Sequence, residues 1–235
     1  MNQEEDNIIP IRDNQVHFLF KRGKKEHIEA LFEKGEVYIN SIDSIRTWDD
    51  NKERSDEDDG INFRKYIGNA KIIMCEIGKD AENESIELNA INTTIKQDNI
   101  TKGNIYCLTG IYSDDLQGER NEIKYETQSF GETIILIRKP QIFLNRVFSE
   151  LEKLGYKNYK SGRVSYYKND YSGEINFFKK HEKFKSQNEF RIFISNDKNI
   201  PLKVTIGSLK DIACLVNAAV IKIKYTDERE QFIYL

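Results

Sequence analysis

The segment 188–195, NEFRIFIS, most constrains what this chain can fold into. Phe190, Ile192 and Ile194 alternate with Glu189, Arg191 and Phe193, and a period of two marks a strand with one face in a core. The same alternation puts Glu189 and Arg191 on one side of that strand. A carboxylate and a guanidinium on a mostly apolar strand need a partner or a task. Two readings are open: a structural ion pair, or a cleft in which Glu189 does chemistry while Arg191 holds an anion or Glu189 itself.

A strand of this kind needs a sheet around it. In QVHFLF, 15–20, Val16, Phe18 and Phe20 fall on one face and His17 on the other. Ile28, Leu31 and Phe32 follow at helical spacing over 24–34, Gly35 supplies a stop, and EVYIN, 36–40, reads as a short strand. Further strands are predicted over 70–77, 85–91, 104–112, 132–138, 162–168, 201–206, 221–225 and 231–235. Pro140 opens a helix whose face holds Ile142, Phe143, Arg146, Val147, Leu151 and Leu154. A shorter helix is expected over 174–185, and a helical turn capped by Ser208. Many strands with few helices between them predict an α+β class, mainly antiparallel. The polar stretches 41–60 and 113–131 are expected to gather at one end of the sheet and border a cleft. Residues 1–13 read as a polar lead and 14–235 as a single domain, with no repeat or linker to divide it.

A chain of 235 residues can bury its core without disulfides or metals. A net charge of −3 argues against a dedicated nucleic-acid binder, although a local basic groove is compatible with it. Cys75, Cys107 and Cys214 lie in apolar runs and are expected to be buried thiols of a cytoplasmic protein. The acidic start MNQEEDNIIPIRDN is no signal peptide, and no apolar run approaches the about 20 residues of a membrane helix. Abundant Lys, Asn and Ile point to an AT-rich genome, bacterial or phage. A serine elbow, a phosphate loop and a paired-histidine metal helix are all missing. The acidic run 53–60 lacks the full calcium-loop pattern, so it reads as a solvated loop and no metal is expected. His27 and His181 read as surface residues. His17 is either a satisfied core histidine or a ligand contact.

A series of short elements, in one order, resembles bacterial and phage families of domains of unknown function. The series starts with the aromatic strand, helix, Gly and short strand of 16–40. Next come R-x-D-x-x-(E/D)-G at Arg54, Asp56, Asp59 and Gly60, and Ile105-Tyr106-Cys107. Phe130-Gly131 precedes a strand and K-P-Q-x-F. Gly162, Val164 and Tyr166 follow, and then K-x-x-x-Q-x-E-(Y/F)-R at Lys183, Gln187, Glu189, Phe190 and Arg191. The last element is the most specific, and together they span 16–195.

The opening strand–helix–strand and the late glutamate-bearing strand are also similar to ADP-ribosyltransferases. That resemblance implies a split sheet with NAD as substrate in its cleft. Glu189 would be the catalytic carboxylate, stabilising the ribosyl oxocarbenium ion, and His17 the first-strand residue that contacts NAD. Arg191, Arg54 and Asp56 would help hold the ligand, with Tyr106 or Tyr112 as its aromatic contact. Such an enzyme would act in bacterial or phage conflict, as a toxin, in defence or in counter-defence. The alternative is a non-catalytic binding protein on the same scaffold, capturing a nucleotide or NAD-like ligand, or a partner protein. The Glu189/Arg191 face and the first-strand His17 favour the enzyme, whereas the acidic balance and the lack of a recognisable transferase motif around either tyrosine favour the alternative.

Overall fold

The structure, a computed structural model, describes residues 15–46, 58–75, 85–97, 102–117, 122–198, 200–216 and 220–235. The chain opens with β1 (Val16–Gly23), α1 (Lys25–Lys34), β2 (Glu36–Ser41) and the single turn α2 (Ile42–Arg46). Gly35 ends α1 in the left-handed conformation, φ 70°, and its N–H caps the carbonyls of Ala30 and Leu31. A Cβ there would lie 2.0 Å from the Gly207 carbonyl oxygen, so a side chain is excluded twice over. Next come the long strands β3 (Phe63–Cys75) and β4 (Ser85–Gln97), then β5 (Gly103–Tyr112), α3 (Ser113–Gln117) and β6 (Glu122–Lys124). The second half contains β7 (Thr133–Ile137), α4 (Pro140–Lys153), β8 (Tyr159–Arg163), β9 (Ser165–Tyr167), β10 (Gly173–Glu174) and β11 (Lys179–His181). It closes with β12 (Glu189–Ser195), β13 (Leu202–Thr205), β14 (Ala213–Val216), β15 (Val220–Lys224) and β16 (Glu230–Tyr234).

The class is α+β with mainly antiparallel pairing; among the described residues only β9–β11 and β6–β16 pair in parallel. β5 is the central strand and is buried at nearly every position. One of its edges is covered by β12, from Glu189↔Thr109 to Ser195↔Gly103, and β8 lies beyond β12. The other edge is divided. β1 takes the end from Thr109 to Tyr112, whereas β2 takes Asn104 and Ile105. β7 and β14 extend the sheet from β1, and β13 extends it from β2.

Each face of this sheet has its own core. Leu19, Tyr106, Leu108, Phe190, Ile192 and Ile194 point to the face that α1 and α4 cover with Ile28, Leu31, Phe143, Val147 and Leu151. The opposite face packs Phe20, Ile111 and Ile134 under Ile123 of β6 and Ile233 of β16. Phe193, Ile105 and Cys107 meet Ile42 and Phe177 elsewhere on that second face. Val16 does not share a face with Phe18 and Phe20 as the alternation predicts. The register slips between Val16 and Phe18, a bulge with His17 as the extra residue, and Val16 joins the helical side.

β3 and β4 form a two-stranded arm longer than the sequence predicts, running through register shifts near Gly68, φ 74°, and Asn92, φ 54°. Among the described residues only its base is joined to a further strand, β10, at Phe63 and Arg64. Its outer half pairs Ile72 with Leu88 and Met74 with Ile86, so these four share one face, exposed by 39–62%. Against the expectation of three buried thiols, Cys75 is exposed in this arm, and Cys107 and Cys214 are partly buried.

Three other segments differ from their sequence reading. Residues 174–185 hold no α-helix: β11 is followed by a 3-10 helix, Glu182–Gln187, capped by the His181 ring, which accepts from the Lys183 N–H. The turn after Ser208 leads into β14 rather than a helix. The stretch 113–131 contains α3, β6 and a short 3-10 turn, Gln128–Phe130. Gly131 then takes φ 141°, and a Cβ there would lie 2.3 Å from the backbone of Gly23, which accounts for the Phe-Gly element before β7. No helix among the described residues is long and apolar enough to cross a membrane.

Candidate functional site

β12 delivers Glu189 and Arg191 to the second face of the sheet, beside Cys107 on β5. Both are sealed from solvent, at 5% and 1% exposure. The Arg191 Nε donates to Glu189 Oε1 at 2.8 Å, and Nη1 and Nη2 grip both oxygens of Asp59 at 2.6 and 3.1 Å. Nη1 also donates to the Phe177 carbonyl at 2.8 Å. From β11, the Lys180 ammonium donates to Glu189 Oε2 at 3.2 Å and to Gln187 Oε1 at 3.1 Å. Asp59 and Lys180 are as deeply buried, at 3% and 2%. The Glu189 backbone N–H donates to the Tyr166 hydroxyl at 2.8 Å.

Two cations and two carboxylates thus form a neutral buried cluster. Burial alone pushes the Glu189 carboxyl up. The charges of Arg191 and Lys180, with hydrogen bonds from Arg191 and the Cys107 thiol, reverse this and hold it well below the usual carboxylate range. Arg191 is held the more firmly protonated: burial opposes its charge, and Asp59 and Glu189 outweigh the burial. The Cys107 thiol is pushed up to about 12, first by burial and then by the neighbouring Glu189 charge, so it is a thiol and no nucleophile.

The structure brings Glu189 and Arg191 together, with Tyr112 against the Glu189 backbone, and places Tyr106 on the other face of the sheet. His17 sits at the β1 bulge, where its Nε2 bonds the Ser113 hydroxyl at 2.9 Å; partial burial lowers its pKa. Tyr106 lies on the opposite face, in the helical core, with Lys21 over its ring at 4.3 Å and its phenol pushed far up by burial. Tyr112 stacks under the Arg163 guanidinium at 4.1 Å, and its hydroxyl donates to the Glu189 carbonyl at 3.4 Å. Arg54 and Asp56 lie outside the described residues. Sequence reasoning did not assign Asp59, Gln187 or Tyr166 to the site, although each stands in a motif it singled out. Lys180 was missed because its segment reads as a helix.

One step outward from Asp59, the turn at 58–60 borders a pocket of about 380 Å³ at the base of the arm, lined also by Arg64, Lys96, Asn169 and Lys183. Asp58 is engaged by Lys96 and by the Tyr167 hydroxyl, the latter at 2.8 Å. Arg64 is 7% exposed. Its Nη1 donates to the carbonyls of Asn169 and Tyr171 at 2.7 and 2.8 Å, and its Nη2 to Thr94 Oγ1 at 3.3 Å. A second depression, beside α4, has its one guanidinium, Arg146, neutralised by Asp211. Among the described residues no group of three His, Cys, Asp or Glu side chains could hold a metal ion. No family model, curated protein or solved structure matches the chain.

Proposed function

We propose that this chain is a binding protein, not a transferase: an ADP-ribosyltransferase-like scaffold that captures a nucleotide. The observation that carries this reading is the state of Glu189. A carboxylate that stabilises a developing oxocarbenium ion must face the substrate and present its charge there. Glu189 faces Arg191 and Lys180 inside the protein, with its charge matched and 5% of its surface exposed. The divided edge of β5 supports the split-sheet scaffold. Tyr106 lies on the opposite face of the sheet from Glu189 and His17 is bonded to Ser113, which weighs against an assembled NAD-cleaving centre.

Equilibrium dialysis against NAD and ADP, with chromatography for free nicotinamide, tests the reading. Retention of nucleotide without nicotinamide release is the expected result. Release of nicotinamide that Glu189→Gln abolishes, with an unchanged melting temperature, would restore the enzyme.

A further inference from the structure

We propose that the pocket beneath the arm is a phosphate seat, built by Arg64, Thr94, Asn169 and Lys183, for the terminal phosphate or diphosphate of the captured nucleotide. The site rests on the nucleotide-binding reading above and gives it a location.

Donor and acceptor bookkeeping carries the inference. The His181 Nδ1 accepts from the Lys183 N–H, so the ring proton is on Nε2, which bonds the Asn169 side chain at 2.7 Å. The atom it meets must therefore be the amide oxygen, and the Asn169 NH2 is left to donate. Thr94 Oγ1 accepts from Arg64, which leaves its O–H to donate. The carbonyls of Asn169 and Tyr171 are taken by Arg64, and the Asp58 carboxylate by Lys96 and Tyr167. Each acceptor at the rim is thus already engaged by an internal donor, whereas donors remain unengaged.

Charge runs the same way. The Asp58 charge is matched by Lys96, whereas neither Arg64 nor Lys183 pairs with a carboxylate among the described residues. A guanidinium has five N–H donors. Arg64 uses three on neutral oxygens, and the other two take no acceptor among the described residues. A guanidinium at 7% exposure without a counter-ion is costly unless an anion completes it. His181 adds no charge: burial first, then Lys183 and Arg64, lower its pKa. Two unmatched cations with hydroxyl and amide donors suit a dianion with several acceptor oxygens, which is the chemistry of a phosphate monoester or a diphosphate end.

Calorimetric titration of the full chain with inorganic pyrophosphate, ADP, NAD and adenosine tests the assignment. Asn169→Asp keeps the oxygen that His181 bonds and replaces the donor by a charge, and Lys183→Glu alters an exposed side chain. Both should keep the melting temperature. Each should weaken pyrophosphate and ADP roughly ten-fold or more, the worth of one charge-assisted hydrogen bond. Lys160→Glu makes the same charge change on β8 and should bind as the wild type, and adenosine should bind far more weakly than ADP. Nucleotides that bind the Asn169 and Lys183 variants as tightly as the wild type would overturn the seat and leave nucleotide capture standing. Failure of pyrophosphate, ADP and NAD alike to bind the wild type would overturn both.

Discussion

Glu189 is one of four charges that cancel only as a set. Glu189→Gln keeps the shape but leaves Arg191 and Lys180 facing Asp59 alone, one buried positive charge in excess. We expect a loss of about 3–5 kcal/mol in urea denaturation, the usual cost of breaking a buried pair from one side. Thiol chemistry reads the same neighbourhood. Cys75 is exposed and should react with an aromatic disulfide in the folded protein, while Cys107, pushed up to about 12, should react only on unfolding. Acid should weaken the fold in two stages. His17 and His181 both titrate below their ordinary 6.5, so the unfolded chain binds more protons just below that value. Their contribution is complete above about 6.5 and is lost as pH falls through the folded values. Glu189 titrates well below its ordinary 4.5, so its contribution is complete above 4.5 and is lost only at lower pH. Melting temperature against pH should show both steps, and His181→Gln should reduce the upper one. At this scale the sequence was informative about β12, because a strict period of two fixes which side chains share a face. It was silent on Lys180, whose approach to Glu189 depends on a crossing of β11 that no local pattern encodes.

The elements differ in how much holds each of them. Among the described residues the arm of β3 and β4 pairs with a further strand only at its base, and a two-stranded ribbon is marginal in water on its own. Amides of its outer half should exchange well before those of β5 and β12, as hydrogen exchange can measure. Met74→Lys and Ile86→Lys, at 48% and 62% exposure, should change stability by no more than about 0.5 kcal/mol. The sequence showed two strands here but placed their ends too close together, since the irregularities at Gly68 and Asn92 interrupt the alternation without ending the pairing. It failed over 174–187 for a different reason. The elements there are two or three residues long or a 3-10 turn, held by individual bonds such as the His181 cap, and they leave no periodicity to read. Long, strongly patterned elements such as α1, β7 and α4 were legible nearly to their ends.

For the whole molecule, class and sheet membership were legible: β1, β7 and β12 lie in one antiparallel sheet. The buried state of Glu189 was not legible, because it depends on Asp59 closing over Arg191 from 132 positions away in the chain. The divided edge of β5 bears on how such a molecule comes to exist. Three stretches must find that strand, 16–20, 40–41 and 189–195, and the last cannot arrive until most of the chain is available. Until then β5 presents an apolar edge with open backbone groups. Refolding should accordingly fall in the slow regime of non-local sheets, milliseconds to seconds. A chain emerging from the ribosome would carry its most hydrogen-bond-hungry strand unsealed through the synthesis of some eighty further residues, an interval in which a holding chaperone or a neighbouring nascent chain has its best opportunity to bind.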